Sequence, residues 1–417
     1  MIRFIPILLL LLVSCSQQPV KTTQTDSDSC DCPAYAPVQW PDTPLPAPIT
    51  EAPEPVIKPA PEYTQLQKSG WEAIDELDND KLSAAWGAWR QSCSTLINKQ
   101  PWQTACQAAT ALSASDVPSN REIEAYFRQH FEVYQATNED GTDTGLITGY
   151  YEPVLRGSLF KSDIYRYPLF GKPADLITVD LSEVHPELKY KRVRGRLVGS
   201  KLVPYYDRRE IEENAPLAGQ ELLWVDDVID LFFLQIQGSG LVKLDNGREV
   251  HVGYADQNGR SYNSIGRVLI EQGELSRDKA SMQGIKDWAR NNPYKLRELL
   301  YSNPSYVFFR ELPAGLPGPL GALGVPITAE RSVAVDPRHI PLGAPIFLAT
   351  TYPNSSKPLN RLMVAQDTGG AIKGGVRADF FWGAGAEAGK KAGAMKQPGK
   401  IWVLLPKGFP VTAENKQ

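Results

Sequence analysis

A chain of 417 residues can hold two or three domains with cores of their own. Its composition, 42% hydrophobic and 22% charged with a net charge of −4, is that of an ordinary globular protein. The weak acidity and the lack of a basic block or an aromatic-basic ladder exclude nucleic acid as the main partner.

The N-terminus reads as an export signal. Arg3 is followed by an apolar run from Phe4 to Val13, far short of the ~20 residues that span a bilayer, so it is the core of a signal peptide. Leu12-Val13-Ser14-Cys15 resembles a bacterial lipobox, in which Cys15 becomes the lipidated first residue of the mature protein. Ser16 follows in place of an Asp, and by resemblance to the lipoprotein sorting pattern this points to the outer membrane, lipid-anchored and facing the periplasm. Residues 16–61 show no apolar periodicity and carry ten prolines between residues 33 and 61. Such a stretch packs no core and prefers extended polyproline II, giving a semi-rigid tether on the order of 100 Å.

Of the five cysteines, Cys15 goes to the lipid, and Cys30 and Cys32 lie too close together in the tether for an easy bridge. An exported chain meets an oxidising compartment, so a disulfide between Cys93 and Cys106 is expected. The four histidines are scattered without metal-ligand spacing, and neither metal nor cofactor is expected.

From Glu62 to about Tyr134 the chain reads as helical. Ser119 and Glu122 form a capping box after Pro118, and Ile123, Tyr126, Phe127, Phe131 and Tyr134 recur at helical spacing as a core stripe. At Leu146 the pattern changes to a short strand with adjacent tyrosines, closed by Pro153. Short β-like runs then follow to about Val252: residues 175–179, 196–198, 222–225, 232–236 and 241–244. They point to a small β-barrel of roughly a hundred residues. Read as a strand, residues 232–236 put Phe233, Gln235 and Gln237 on one face. Aromatics and amides on one face suit a sugar polymer, although a solvated strand face has the same pattern. Helical spacing returns over residues 261–272 and 276–291, a third short helix follows Pro293, and residues 312–326 are a Pro/Gly-rich loop. Strands are then expected over residues 332–337, 345–349, 362–366, around Asp379 and over 401–405, which fits a closed barrel better than a βαβ sheet.

Three carboxylates stand out in this last block: Asp336, Asp367 and Asp379. Asp367 opens a D-T-G-G turn, and turns recruit Asp for local hydrogen bonds. Asp379 sits between Ala378 and Phe380-Phe381-Trp382, which is not turn sequence. It is either an outward residue of an alternating strand or a carboxylate against apolar walls. In the second case burial favours its neutral form and equips it to donate a proton near neutral pH.

Several segments together resemble the membrane-bound lytic murein transglycosylase A family: Gly149-Tyr150-Tyr151, Phe233 to Gly240, Ser261 to Val268, Ser305 to Phe309, the three aspartates, and Gly389 to Leu404. The resemblance covers most of the chain from about residue 120, with Glu152 as a departure from some members. It implies a fold that is mainly β with α-helical additions: a double-ψ β-barrel domain built from residues 62–151 and 253–410, with a smaller β-domain, residues 152–252, inserted in it. It implies cleavage of the MurNAc–GlcNAc β-1,4 bond of peptidoglycan without water, with Asp379 as the catalytic acid and base and Asp367 close by. Under that resemblance Tyr150, Tyr151, Gln237, Ser239 and Asp336 are the expected glycan contacts. The expected partners are peptidoglycan strands, outer-membrane lipid through acylated Cys15, and other cell-wall enzymes.

Three other readings compete. A glycoside hydrolase would pair Asp379 with Asp367 or Asp336. An aspartic peptidase would use Asp367-Thr368-Gly369, but there is no second triplet and polar Gln366 precedes it. A non-catalytic glycan-binding lipoprotein would have no need of a carboxyl with a raised pKa.

Overall fold

The computed structural model describes residues 63–411, apart from residues 75, 76, 115, 186, 187 and 189–192. The signal peptide, Cys15 and the proline-rich tether lie outside the described residues. No helix among the described residues is long and apolar enough to cross a membrane.

The chain opens with a short strand, β1 (Leu66–Ser69), and three helices, α1 (Leu82–Leu96), α2 (Gln103–Leu112) and α3 (Asn120–His130). The Ser119–Glu122 capping box is formed at the start of α3. The aromatic stripe is core: Tyr126 and Phe127 are buried against Trp86 and Trp89. The Tyr126 hydroxyl accepts from Trp89 Nε1 at 3.0 Å and donates to the Ala105 carbonyl at 2.7 Å, so the buried polar atoms are paired. Cys93 of α1 and Cys106 of α2 are disulfide-bonded. In the chain-entropy account, so short a loop contributes about 3 kcal/mol. The helical region is interrupted by β1 and ends one turn earlier than its spacing predicts. Phe131 and Tyr134 belong to β2 (Phe131–Ala136), where the α3 C-cap at Phe131 is already extended.

The next strand, β3 (Gly145–Glu152), leads into the inserted sheet. That sheet is built from β4 (Val154–Ser158), β5 (Tyr167–Phe170), β9 (Glu221–Val225), β10 (Ser239–Leu244), β11 (Glu249–Gln257) and β12 (Val307–Glu311). Beside it lies a small ribbon of β6 (Ile177–Thr178), β7 (Arg194–Val198) and β8 (Lys201–Pro204). The larger sheet runs in the order β12-β11-β10-β4-β9-β5, and its two edges meet at a bridge between Gly171 and Phe309. Its last strand lies at residues 307–311, past residue 252 where the strand-like runs end in the sequence. The helices α4 (Arg208–Asn214), α5 (Val228–Gln237), α6 (Ile265–Glu271), α7 (Met282–Asn291) and α8 (Pro293–Tyr301) pack around it.

Residues 232–236 are not a strand but the middle of α5. Asp227 caps that helix by accepting the backbone N–H groups of Ile229 and Asp230, and Gly238 ends it in the left-handed region at φ 81°. The helix is apolar on two sides. Ile229, Phe232 and Phe233 pack with α6–α8, whereas Leu231 and Leu234 pack into the inserted sheet. A helix buried on both sides loses its one-sided stripe, and the remaining apolar run mimics a strand.

The C-terminal part holds β13 (Ser332–Val335), β14 (Pro345–Thr351), β15 (Pro358–Thr368), β16 (Arg377–Ala384), α9 (Gly385–Ala394) and β17 (Lys396–Pro406). With β3 these strands close into a six-stranded barrel, β17-β14-β15-β13-β16-β3 and back to β17. The β13–β15 and β16–β3 pairs are parallel and the others antiparallel. One barrel strand thus comes from before the insert and five from after it. Ile147, Val333, Val335, Ala378 and Phe380 fill the interior and are fully buried. Because side chains alternate along a strand, Thr148, Ala334, Asp379 and Phe381 face outward. Helix α1 covers β15 elsewhere. Gln366, fully buried, donates to the Ala88 carbonyl at 2.8 Å and accepts from Ser332 Oγ at 2.5 Å.

Candidate active site

The outward faces of four neighbouring barrel strands align a row of residues. Asp367 of β15 is in register with Ala334 of β13, Ala334 with Asp379 of β16, and Asp379 with Thr148 of β3. The two aspartates are therefore two strand spacings apart, roughly 9–10 Å between backbones. The small side chain between them, Ala334, leaves their carboxyls room to approach. Phe381 and Tyr150 form the next row and are in register, with ring centroids 5.1 Å apart. Tyr150, Phe381, Ala334, Ile327 and Ile372 make a small apolar cluster around the carboxyls. Both sequence readings of Asp379 therefore hold together: it faces out of the barrel, and apolar side chains surround it there.

Asp379 is held from one side. Arg377, two residues earlier on the same face of β16, donates from Nη2 to Thr148 Oγ1 at 2.8 Å. The hydroxyl hydrogen is thereby directed onward, and Thr148 donates to Asp379 Oδ1 at 2.6 Å. Asp367 is held by backbone instead. Its Oδ1 accepts the N–H groups of Ala322 and Thr368, each at 2.9 Å. Ala322 belongs to the Pro/Gly-rich loop, which folds over the end of β15 through Leu323 N–H to the Gln366 carbonyl at 3.0 Å. A Cβ at Gly321 would lie 2.4 Å from that carbonyl, so only glycine lets the loop approach this closely.

The packing sets the protonation chemistry. Both carboxyls are only half-buried by exposed area, but the groups crowded around each desolvate it. Burial pushes Asp379 above the usual carboxylate range, opposed by the Thr148 hydroxyl and the Arg377 charge. Burial, helped by repulsion from Asp379, raises Asp367 to about 6 against its backbone donors and Tyr150. Burial against apolar walls was the expected cause of a raised Asp379, and it is the leading one there. Burial also leads at Asp367, and the repulsion between the two carboxyls falls on Asp367. Burial, with both nearby carboxylates, pushes the Tyr150 phenol well above its ordinary value. Tyr150 is therefore a neutral donor. Its buried hydroxyl lies near both carboxyls and interacts with Asp367, though outside close hydrogen-bond geometry.

The structure brings some expected residues to this face and not others. Tyr151 points the opposite way from Tyr150, into the core. Its hydroxyl donates to Met282 Sδ at 3.3 Å, its ring packs on Gly389 of α9, and it is 6% exposed, so it lines no cleft. Asp336 is fully buried, away from the outward row of Asp367 and Asp379. It is bound by Arg338 Nε at 3.0 Å and Nη2 at 2.5 Å and by the Gly374 N–H at 3.1 Å, which hold its carboxyl down at about 2. Gln237, expected on a strand face, ends α5. Its Oε1 accepts the Tyr151 backbone N–H at 3.1 Å, tying the insert to β3. Ser239 follows it at the start of β10, partly exposed. Glu152 is buried at the end of β3, with its Oε1 3.1 Å from His251 Nδ1 of β11, a second link between the two sheets. Thr148 and Arg377 were not singled out in the sequence. The available signal was the i, i+2 spacing of Arg377 and Asp379 and the lone hydroxyl between Ile147 and Gly149.

Two carboxyls raised above the usual carboxylate range on an outward barrel face, with a neutral tyrosine beside them, define an enzyme of the acid–base class. The family description "MltA specific insert domain" matches residues 146–310, and "3D domain" matches residues 331–405. Membrane-bound lytic murein transglycosylase A of Escherichia coli K12 is 33% identical over 280 residues, covering 66% of this chain and 69% of that protein. The crystal structure of MltA from Neisseria gonorrhoeae, monoclinic form, superposes with a TM-score of 0.72 at 38% identity, over 82% of this chain and 93% of that one. E. coli MltA with bound chitohexaose superposes with a TM-score of 0.59 at 27% identity, over 77% and 90% of the two chains. This chain belongs to the membrane-bound lytic murein transglycosylase A family and is a peptidoglycan lytic transglycosylase.

Proposed function

We propose that this enzyme breaks the β-1,4 bond between MurNAc and GlcNAc without water, and that Asp379 serves as acid and then as base. The observation that carries the assignment is a desolvated carboxyl fixed by the Arg377–Thr148 side-chain relay on the outer barrel face beside Tyr150. Mutual repulsion favours one proton on the Asp367–Asp379 pair. Asp379 gives that proton to the glycosidic oxygen as its bond to C1 of MurNAc breaks, and the oxygen leaves on GlcNAc. Positive charge develops at C1, and ionised Asp367 stabilises it. The C6 hydroxyl oxygen of the same MurNAc attacks C1, and the Asp379 carboxylate takes its proton. The product is a 1,6-anhydro-MurNAc end, and the acid is regenerated. One group in both roles suffices because the nucleophile comes from the substrate and is already close to C1.

The glycan subsite is formed by Tyr150, Gln237 and Ser239, where β3 passes into the insert. An extended sugar chain as ligand is supported by the chitohexaose bound to the E. coli relative. The phenol of Tyr150 donates to a sugar oxygen, which gives a buried hydroxyl that only loosely approaches Asp367 a well-aligned partner. The signal sequence and lipobox support acylation at Cys15 and anchoring to the outer membrane, with residues 16–61 as the tether. The name of the membrane-bound relatives agrees with this. Anchored there, the enzyme shares its compartment with other cell-wall enzymes. Digestion of purified sacculi in water of heavy oxygen tests the reaction class. The expected muropeptides end in anhydro-MurNAc and carry no heavy oxygen. Its incorporation at the new ends would mean hydrolysis.

A further inference from the structure

A cavity of about 730 Å³ opens on the insert, bounded by β5, β9, α4 and α8. None of its lining residues belongs to the aspartate site. Its floor is apolar and buried, formed by Phe170, Ile211, Leu300 and Tyr306. Its rim is cationic. Lys161 lies over the Trp224 ring at 5.2 Å and Arg166 over the Tyr167 ring at 5.6 Å, with Arg297 on the α8 side. None of these three cations has an ion-pair partner among the described residues.

The acids in the wall do not cancel that charge. Glu212 is matched from behind by Arg208, which is buried, 3.3 Å away, and locked by the Asn303 and Ser305 carbonyls and the Phe232 and Tyr306 rings. Arg297 influences Glu212 but stands beyond ion-pair distance. Burial raises the Glu212 carboxyl, opposed chiefly by Arg208. Only Glu221 is left to oppose the three cations. The cavity is therefore positive at its mouth, apolar and aromatic at its floor, and of a size that accepts a drug-sized ligand.

We infer that this cavity binds a short acidic peptide, its carboxylates on Arg166, Arg297 and Lys161 and its aliphatic side chains on the floor. Given that the enzyme acts on peptidoglycan, that peptide is the stem carried by MurNAc, and the cavity reads the substrate away from the cleaved bond. Guanidinium groups suit carboxylates because they bind them with two parallel hydrogen bonds.

The test is calorimetric titration of the whole protein with the tripeptide L-Ala-γ-D-Glu-meso-diaminopimelate, in the wild type and in an Arg166→Glu, Arg297→Glu double variant. Both arginines are exposed, and thermal unfolding verifies that the variant folds. The inference predicts saturable binding by the wild type, at least about tenfold weaker binding by the variant, and loss of affinity when the peptide carboxylates are amidated. It also predicts unchanged anhydro-MurNAc release from peptide-free glycan. No binding by the wild type, or equal binding by the variant or of the amidated peptide, overturns the inference. Those results would leave the transglycosylase chemistry untouched if release persists. Peptide binding without release would instead contradict the assignment of the aspartate site.

Discussion

Thr148→Val tests the hydrogen-bond chain that sets the acid. Valine keeps the shape of threonine on β3 but removes the hydroxyl that donates to Asp379 at 2.6 Å. The donation favours the ionised form, so its loss raises the pKa of Asp379. A hydrogen bond to a charged group contributes about 1.5–3 kcal/mol, and 1.36 kcal/mol is about one pKa unit, so the expected rise is about 1–2 units. The free enzyme needs Asp379 protonated to begin the reaction, so kcat/KM falls as pH rises through that pKa. In the variant this alkaline fall should move up by about 1–2 pH units, while the product remains anhydro-MurNAc. The Arg377 charge also favours ionised Asp379, though less than the Thr148 bond does, so Arg377→Met should move the profile in the same direction by less. The assay is the pH dependence of muropeptide release, with thermal unfolding as the fold control. An unmoved alkaline limb in a folded Thr148→Val variant would refute the coupling.

Three further outcomes follow from the same geometry. Asp367 has a folded-state pKa raised from 3.8 to about 6, so its ionisation destabilises the fold; the penalty is absent below pH 4 and complete above about pH 6. Asp367→Asn should therefore unfold at a higher temperature at pH 8, by up to roughly 3 kcal/mol of stability, and gain nothing at pH 4; an equal gain at both pH values would count against the burial argument. Asp336 is the opposite case, held down at about 2, so its contribution is present above its unfolded value near 3.8 and fades as pH falls through about 2. Asp336→Asn should cost roughly 2 kcal/mol at pH 7, seen in denaturant melts as a lower midpoint with little effect at pH 2. Gln237→Ala leaves the buried N–H of Tyr151 without its partner and should cost about 1–3 kcal/mol in thermal stability as well as glycan affinity; weaker binding with an unchanged melt would return Gln237 to a purely glycan-contacting role.

The barrel strands were legible because their apolar residues are flanked by turn chemistry, and Asp379 stood out because no turn explains it. Asp367 was legible only as half of its role. Its turn geometry is real, with Thr368 N–H on Oδ1, but the loop amide of Ala322 that completes it comes from 45 residues away. Thr148 and Asp379 are 231 residues apart, so their pairing left no local trace. Tyr150 and Tyr151 look alike in sequence, but strand alternation sends them to opposite faces, and only the register of β3 with β16 decides which faces the carboxyls. Helix α5 was misread because it is apolar on two sides. Helix α9 gave no apolar stripe because its small Gly and Ala residues serve close approach, with Gly389 lying against the Tyr151 ring. The Asp336 carboxyl ends an apolar strand, as Asp367 does. Its Arg338 partner, two residues on, was the signal that it is structural.

The central claim is that one carboxyl performs both proton transfers, and Asp379→Asn tests it most directly. Asparagine preserves the shape and can still accept from Thr148, but it neither donates nor accepts a catalytic proton. The measurement is mass spectrometry of muropeptides released from purified sacculi by wild type, Asp379→Asn and Asp367→Asn, each verified as folded and as glycan-binding. The account predicts loss of anhydro-MurNAc products by about 10²–10⁴-fold in Asp379→Asn and a smaller loss in Asp367→Asn. Near-wild-type release by folded Asp379→Asn, with the larger loss in Asp367→Asn, would contradict it and move the acid–base role to Asp367.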